Sequence, residues 1–194
     1  MIRVERLTGA ALLAALRHVA RLRIEVFRAF PYLYDGDLDY EERYLQVYRD
    51  SAGAILVGAF DGAELVGAAT GTPMADHAAD FGTALKDCGV PLGQIFYCAE
   101  SVLLPAYRGR GIGHRFLDLR EEHARALGHS HAAFCGVIRP ADHPARPAGY
   151  RPLDPFWRKR GYAPLPGAVA RFRWKETGQS AETGHDLQFW MRAL

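Results

Sequence analysis

The sequence predicts a single-domain α/β protein, a mixed sheet with helices on both faces. Three observations predict it. Apolar spacing switches repeatedly between helical and strand periods, in the order β-α-α-β-β-α-β-α-β-α-β-β. The stretch from Gln94 to Ile138 reads as strand, glycine loop, helix and strand, one βαβ unit with a right-handed crossover. No repeat, low-complexity tract or linker divides the 194 residues, so one domain spans 1–194, and a hydrophobic share of 49% fills one core.

In order, Ile2 to Leu7 is a first strand, and Thr8-Gly9 turns into a helix carried by Leu12, Leu16, Val19, Val26, Phe27 and Phe30, ending near Pro31. Tyr32 to Asp37 mixes aromatics with turn formers and reads as a functional loop before a helix from Tyr40 to Tyr48. Ala54 to Phe60 and Glu64 to Thr70 form an antiparallel hairpin through Asp61-Gly62. Ala75 to Cys88 is a helical insertion, and Gln94 to Leu104 a long central strand broken in polarity only by Glu100 and Ser101. Pro105 stops it; Ile112, Phe116, Leu119 and Leu127 mark a helix closed by Gly128. His131 to Ile138 is a buried strand, Arg139 to Asp154 a loop rich in Pro and Arg, and Pro155 to Arg160 a short helix. Val169 to Lys175 alternates, Phe172 and Trp174 against Arg171, Arg173 and Lys175, and Asp186 to Leu194 is the last strand.

Charge excludes some functions. With 24 Lys+Arg against 22 Asp+Glu, a net of +2, there is no broad basic footprint, and nucleic acid is not expected as a partner. Cys88, Cys98 and Cys135 match neither a disulfide framework nor a zinc spacing. No apolar run approaches a membrane span and the first residues do not resemble a cleavable signal, so a soluble cytoplasmic protein is expected, with no membrane partner.

The chemistry concentrates in Arg108-Gly109-Arg110-Gly111-Ile112-Gly113 followed by His114. Amides at a helix start have no internal partners and carry the positive end of its dipole, so they suit a pyrophosphate, and glycines let the backbone approach. Two guanidinium groups add charge-assisted donors. Gly-Lys-Ser/Thr is absent, and His114 stands where a dinucleotide fingerprint needs its third glycine.

Arg108-x-x-Gly111-x-Gly113 after a strand ending Glu100-Ser101-Val102-Leu103-Leu104-Pro105 resembles the acetyl-CoA-binding segment of GCN5-related N-acetyltransferases (GNAT). Phe156-Trp157-Arg158-Lys159-Arg160-Gly161-Tyr162 looks like that family's later motif. The resemblance covers nearly the whole chain. It implies a GNAT-type, largely antiparallel central sheet with a splayed parallel strand pair, and acetyl-CoA or CoA as the acyl-donor cosubstrate. Backbone groups of Val102, Leu103 and Leu104 would bond the pantetheine, while Arg108 to His114, including Ile112, would hold the pyrophosphate. It further implies direct attack of an amine on the thioester, with Glu100 in the place of a catalytic glutamate and therefore the general base. The alternative is that Glu100 is paired with an arginine such as Arg139. The family's acid is often a tyrosine where this chain has Trp157, which leaves Tyr150, Tyr162 or water, with Tyr150 preferred.

The acceptor would enter between Tyr32–Tyr40 and Arg139–Asp154. Tyr34 and Asp35 would meet an amine; Arg139, Arg146 and Arg151 a carboxylate or phosphate; and His143 is a second candidate base. A small-molecule amine is the expected partner, and a homodimer is compatible with the sequence. Two other classes stay open: a noncatalytic acyl-CoA sensor, and nucleotide phosphate binding by an unrelated α/β enzyme.

Overall fold

The computed structural model describes residues 2–194. The strands are β1 (Arg3–Leu7), β2 (Ile55–Asp61), β3 (Glu64–Pro73), β4 (Ile95–Tyr97), β5 (Ser101–Leu103), β6 (His131–Val137), β7 (Ala163–Lys175) and β8 (Glu182–Ala193). The helices are α1 (Gly9–Phe27), α2 (Leu38–Tyr44), α3 (Gln46–Asp50), α4 (Ala78–Leu85), α5 (Ile112–Ala126) and α6 (Asp154–Lys159). They build one sheet in the order β1-β2-β3-β4-β6-β8-β7, with β5 pairing β3 off that path. Every pairing is antiparallel except β4 with β6.

Local chemistry explains most of these elements. In α1 the stripe Leu12, Leu16, Val19, Ala20 and Leu22 is buried, and the helix stops at Phe27, earlier than Pro31 alone would require. The carboxylate of Asp37 accepts from the amide of Tyr40 at 2.9 Å and caps α2. The expected single helix over Tyr40–Tyr48 is two pieces, hinged where Leu45 ends α2 and begins α3. Gly62, with φ of 59°, turns the hairpin of β2 and β3. β7 begins before Val169 because a register break between Pro164 and Val169 leaves Ala163 and Pro164 still paired with β8. Its predicted alternation stands, with Trp174 buried and Arg171 and Arg173 exposed.

Two layers of core cover the sheet. On one face α5 packs Phe116 and Leu117 against Val57, Phe96, Tyr162 and Trp190. On the other, α1 and α3 bury Leu16, Val19 and Tyr48 against Leu56, Ala68 and Val102, and α4 buries Phe81 and Leu85 beside Tyr97 and Phe189. Each such side chain contributes about 1.5–3 kcal/mol of burial.

Candidate active site

The expected central strand is broken in the middle. Thr72 pairs with Tyr97 but Ala69 with Ser101, so Cys98, Ala99 and Glu100 stand opposite only Thr70 and Gly71. One extra residue is a bulge, and it re-aims the strand. Up to Tyr97 the strand stays beside β6, and the amide of Cys98 donates to the carbonyl of Ala133 at 2.8 Å. Beyond that point β5 follows β3 while Phe134 to Val137 follow β8, so the two strands part. Arg120 of α5 secures the bulge: its guanidinium donates to the carbonyls of Thr70 (3.0 Å) and Glu100 (3.1 Å) and to the Ser101 hydroxyl (2.8 Å). Buried carbonyls at a bulge need donors, and here they come from the helix behind the sheet.

Strand parity corrects which backbone groups face the opening. The amide of Leu104 donates to Val66 at 3.0 Å and the carbonyl of Glu100 accepts from Thr70 at 3.1 Å, so Glu100, Val102 and Leu104 turn their backbone towards β3. Leu103, with Ser101, presents its groups to the gap; Val102 and Leu104 cannot bond a ligand there as expected. The Leu103 carbonyl also accepts from Arg108 Nε at 3.2 Å.

At the wide end of the gap lies the glycine loop. Gly109 and Gly111 have φ of 75° and 80°, and the left-handed Gly111 caps α5 with no side-chain bond. The amides of Arg108, His114 and Arg115 are satisfied by the carbonyls of Pro105, Gly111 and Gly111. Those from Gly109 through Arg110, Gly111 and Ile112 to Gly113 have no partner among the described residues. His114 is thereby removed from the expected cradle; its ring packs edge-on to Phe156 at 4.9 Å. Arg108 and Arg110 are exposed, as a phosphate contact requires, and Arg110 is steadied by the Ala106 carbonyl at 3.0 Å. Residues with unpartnered amides at a helix N-terminus and exposed guanidinium groups beside it fit a pyrophosphate.

Glu100 points to the opposite face of the sheet from α5, where it is buried. Its Oε1 lies 2.6 Å from Arg23 Nη1, and its Oε2 accepts from the Tyr48 hydroxyl at 3.0 Å and from the Thr70 hydroxyl. Arg23, on α1, also pairs with Glu41 of α2, which is wholly buried, and its guanidinium stacks over Tyr44 at 4.2 Å and Phe27 at 5.1 Å. Burial would raise the Glu100 carboxyl, but the Arg23 charge and the Thr70, Tyr44 and Tyr48 hydroxyls outweigh it and hold it below the usual carboxylate range. The sequence anticipated a partner arginine for Glu100 but named the wrong one. Arg23, Glu41, Thr70 and Tyr48 escaped notice because nothing local distinguishes them from helix-face or strand residues.

The two acceptor loops do meet. The ring of Phe30 lies 4.7 Å from Tyr150 and 5.6 Å from His143, whose Nδ1 accepts from the Ala145 amide. Arg139 is the clasp between the loops and does not face an acceptor: it donates to the carbonyls of Pro31 (2.7 Å) and Tyr32 (3.0 Å) and to Glu176 (2.5 Å). Tyr34 is core, packed with Trp174 and Leu187. Asp35 is paired with Lys175 at 2.9 Å and Arg28 at 3.1 Å, and its carboxyl is lowered chiefly by the Lys175 hydrogen bond. Neither is free for an amine. Arg151 is exposed, and Arg146 lies over the Tyr150 ring at 5.1 Å. Tyr150 is half-buried and its phenol raised by burial, so it keeps its proton at neutral pH. Trp157 packs on Trp190 and Phe134 and covers Gly136, where a Cβ would lie 2.9 Å from its ring. Glu121 of α5 is buried and accepts from the Tyr162 hydroxyl at 3.0 Å beside Arg160 and Arg192.

Comparison with known proteins gives the same picture. The acetyltransferase (GNAT) family model matches residues 9–150. A search of curated proteins found no match. Among solved structures, a ribosomal-protein-alanine N-acetyltransferase from Brucella melitensis is 16% identical with a TM-score of 0.61, covering 99% of both chains. The Salmonella typhimurium protein yncA, solved with its cofactor acetyl-CoA, is 12% identical with a TM-score of 0.60, covering 98% of this chain and 94% of that one. An N-acetyltransferase from Staphylococcus aureus is 11% identical with a TM-score of 0.61, covering 98% of each. At these identities the likeness is one of fold.

Proposed function

Because this chain belongs to the acetyltransferase (GNAT) family, whose acyl donor is acetyl-CoA, we propose that it acetylates the nitrogen of a small-molecule amine held on the α1 side of the parted strands. The observation that supports this reading most is the union of the gap at Leu103 with the unpartnered amides of Gly109 to Gly113 at one end of it. A pantetheine arm bonded at Leu103 would carry its pyrophosphate to those amides. The acceptor nitrogen attacks the thioester carbonyl; a C–N bond forms, the C–S bond breaks, the thiolate leaves and takes a proton, and the amine loses one.

For the proton from the amine we assign water and not Glu100. Glu100 Oε1 faces Arg23 and its Oε2 accepts from Thr70 and Tyr48, contacts that hold its carboxyl low, so we give Glu100 the part of a fixed anion that orders Arg23 and Tyr48. Tyr150 is our candidate donor to the leaving thiolate, since it is protonated and sits on the loop after β6. Tyr150→Phe should lower kcat with little change in acetyl-CoA affinity; an unchanged kcat would remove it from this role. We also infer a reducing, cytoplasmic setting from three free cysteines, to be checked by cell fractionation.

A noncatalytic acyl-CoA sensor is the competing reading, favoured by Trp157 in place of the family's usual tyrosine. Thiol release from acetyl-CoA in the presence of an amine panel separates the two. Amine-dependent turnover supports the enzyme; tight CoA binding with no turnover on any amine supports the sensor.

A further inference from the structure

The structure assigns the proposed acceptor a chemical class: a monocationic amine carried on a flat, apolar, preferably aromatic body. This rests on the acetyl-transfer reading above. Consider first what surrounds the bulge on the α1 face. Phe27, Phe30, Tyr32, Tyr44, Val137 and Tyr150 all keep partial exposure; Phe27, Tyr32 and Val137 pack on one core cluster and Phe30 packs on Tyr150. Phe27 and Tyr32 have centroids 4.5 Å apart, Phe30 and Tyr150 4.7 Å, and Tyr44 carries Arg23 at 4.2 Å. On this inference the partly accessible rings form the walls of a recess on the α1 face, near the point where the strands part and Tyr97 Oη lies 3.6 Å from Cys135 Sγ.

The charges beneath the rings do not balance. Glu41 and Glu100, both buried, share the single guanidinium of Arg23, and Glu41 Oε1 has no hydrogen-bond partner although the residue is wholly buried. Two carboxylates against one cation leave a net negative potential in a low-dielectric place, and that potential draws a cation. The rings offer their negative faces to the same charge. A second polar function is poorly served here. Arg23 and Arg139 are committed to protein partners, and Arg146 lies outside Tyr150. A further hydroxyl or ammonium group would find only the tyrosine hydroxyls as partners, and would otherwise be buried against Phe27, Phe30 and Val137.

The test is steady-state acetylation at saturating acetyl-CoA, comparing phenethylamine with ethanolamine and putrescine at one pH. Phenethylamine should show kcat/KM at least about tenfold higher, and Tyr44→Leu and Tyr32→Leu should each raise its KM severalfold and by a larger factor than they raise ethanolamine's. Either variant suffices if the other fails to fold. Equal or faster turnover of ethanolamine or putrescine would overturn the assignment while leaving acetyl transfer intact. If no amine is turned over by protein that binds CoA, it is acetyl transfer that fails. Calorimetric titration then decides the recess alone: phenethylamine binding more tightly than ethanolamine supports it, and no difference overturns it.

Discussion

Glu100 stood out in the sequence as the one carboxylate in an apolar strand, and a buried carboxylate must be paired or used. What strand pattern could not reveal was the partner, because Arg23 reaches it across the packing of α1 on the sheet. The pairing has a pH signature. Its folded-state pKa lies below that of the unfolded chain, so as pH falls the unfolded state takes up the proton first. The stabilisation is complete above about pH 4.3 and is lost as pH falls through the folded value. Glu100→Gln should therefore cost about 3 kcal/mol at pH 7 and flatten the acid side of the stability curve. Equal stability of variant and wild type at pH 7 by chemical denaturation would show the pair to be of no consequence. A loss of the acidic limb of the pH–rate profile would restore Glu100 as the base. Gly111 belongs to the same scale. A Cβ there meets no atom within 4 Å, so the cost of Gly111→Val is its φ of 80°, about 1–2 kcal/mol, together with the space over the loop that a phosphate needs. CoA affinity should fall about tenfold or more; an unchanged affinity in the folded variant would place the pyrophosphate elsewhere.

Elements set by local chemistry were legible: the hairpin at Asp61-Gly62, the glycine-led start of α5, the alternation of Arg171 to Lys175. Those set by tertiary demand were not. The bulge at Cys98 to Glu100 leaves no mark on an apolar run, since a strand with one extra residue has the same composition as one without. Its support, Arg120, reads as one more charge on a helix with Glu121 and Glu122 beside it, yet it is almost wholly buried. Arg120→Leu would leave the carbonyls of Thr70 and Glu100 without their donor, costing about 3 kcal/mol. It should also let β5 relax towards β6 and weaken CoA binding. A variant with wild-type melting temperature and CoA affinity would show that the bulge holds without Arg120. The loop arginines failed for a similar reason: Arg139 looked available because its acceptors, the carbonyls of Pro31 and Tyr32, belong to a distant loop.

For the whole molecule, the central feature is a sheet that parts. β3 keeps β5 on one side, β8 keeps β6 on the other, and α5 starts at the wide end of the gap between them. One wall offers Leu103 and the opening offers the amides of Gly109 to Gly113. Everything said of acetyl transfer depends on acetyl-CoA lying along that line. Amide hydrogen exchange of the full chain with and without saturating CoA tests it most directly. The account predicts strong protection at Leu103 and from Gly109 to Gly113, with β1 and β7 unchanged. Binding of CoA with protection confined to other segments, or no binding at all, would contradict it.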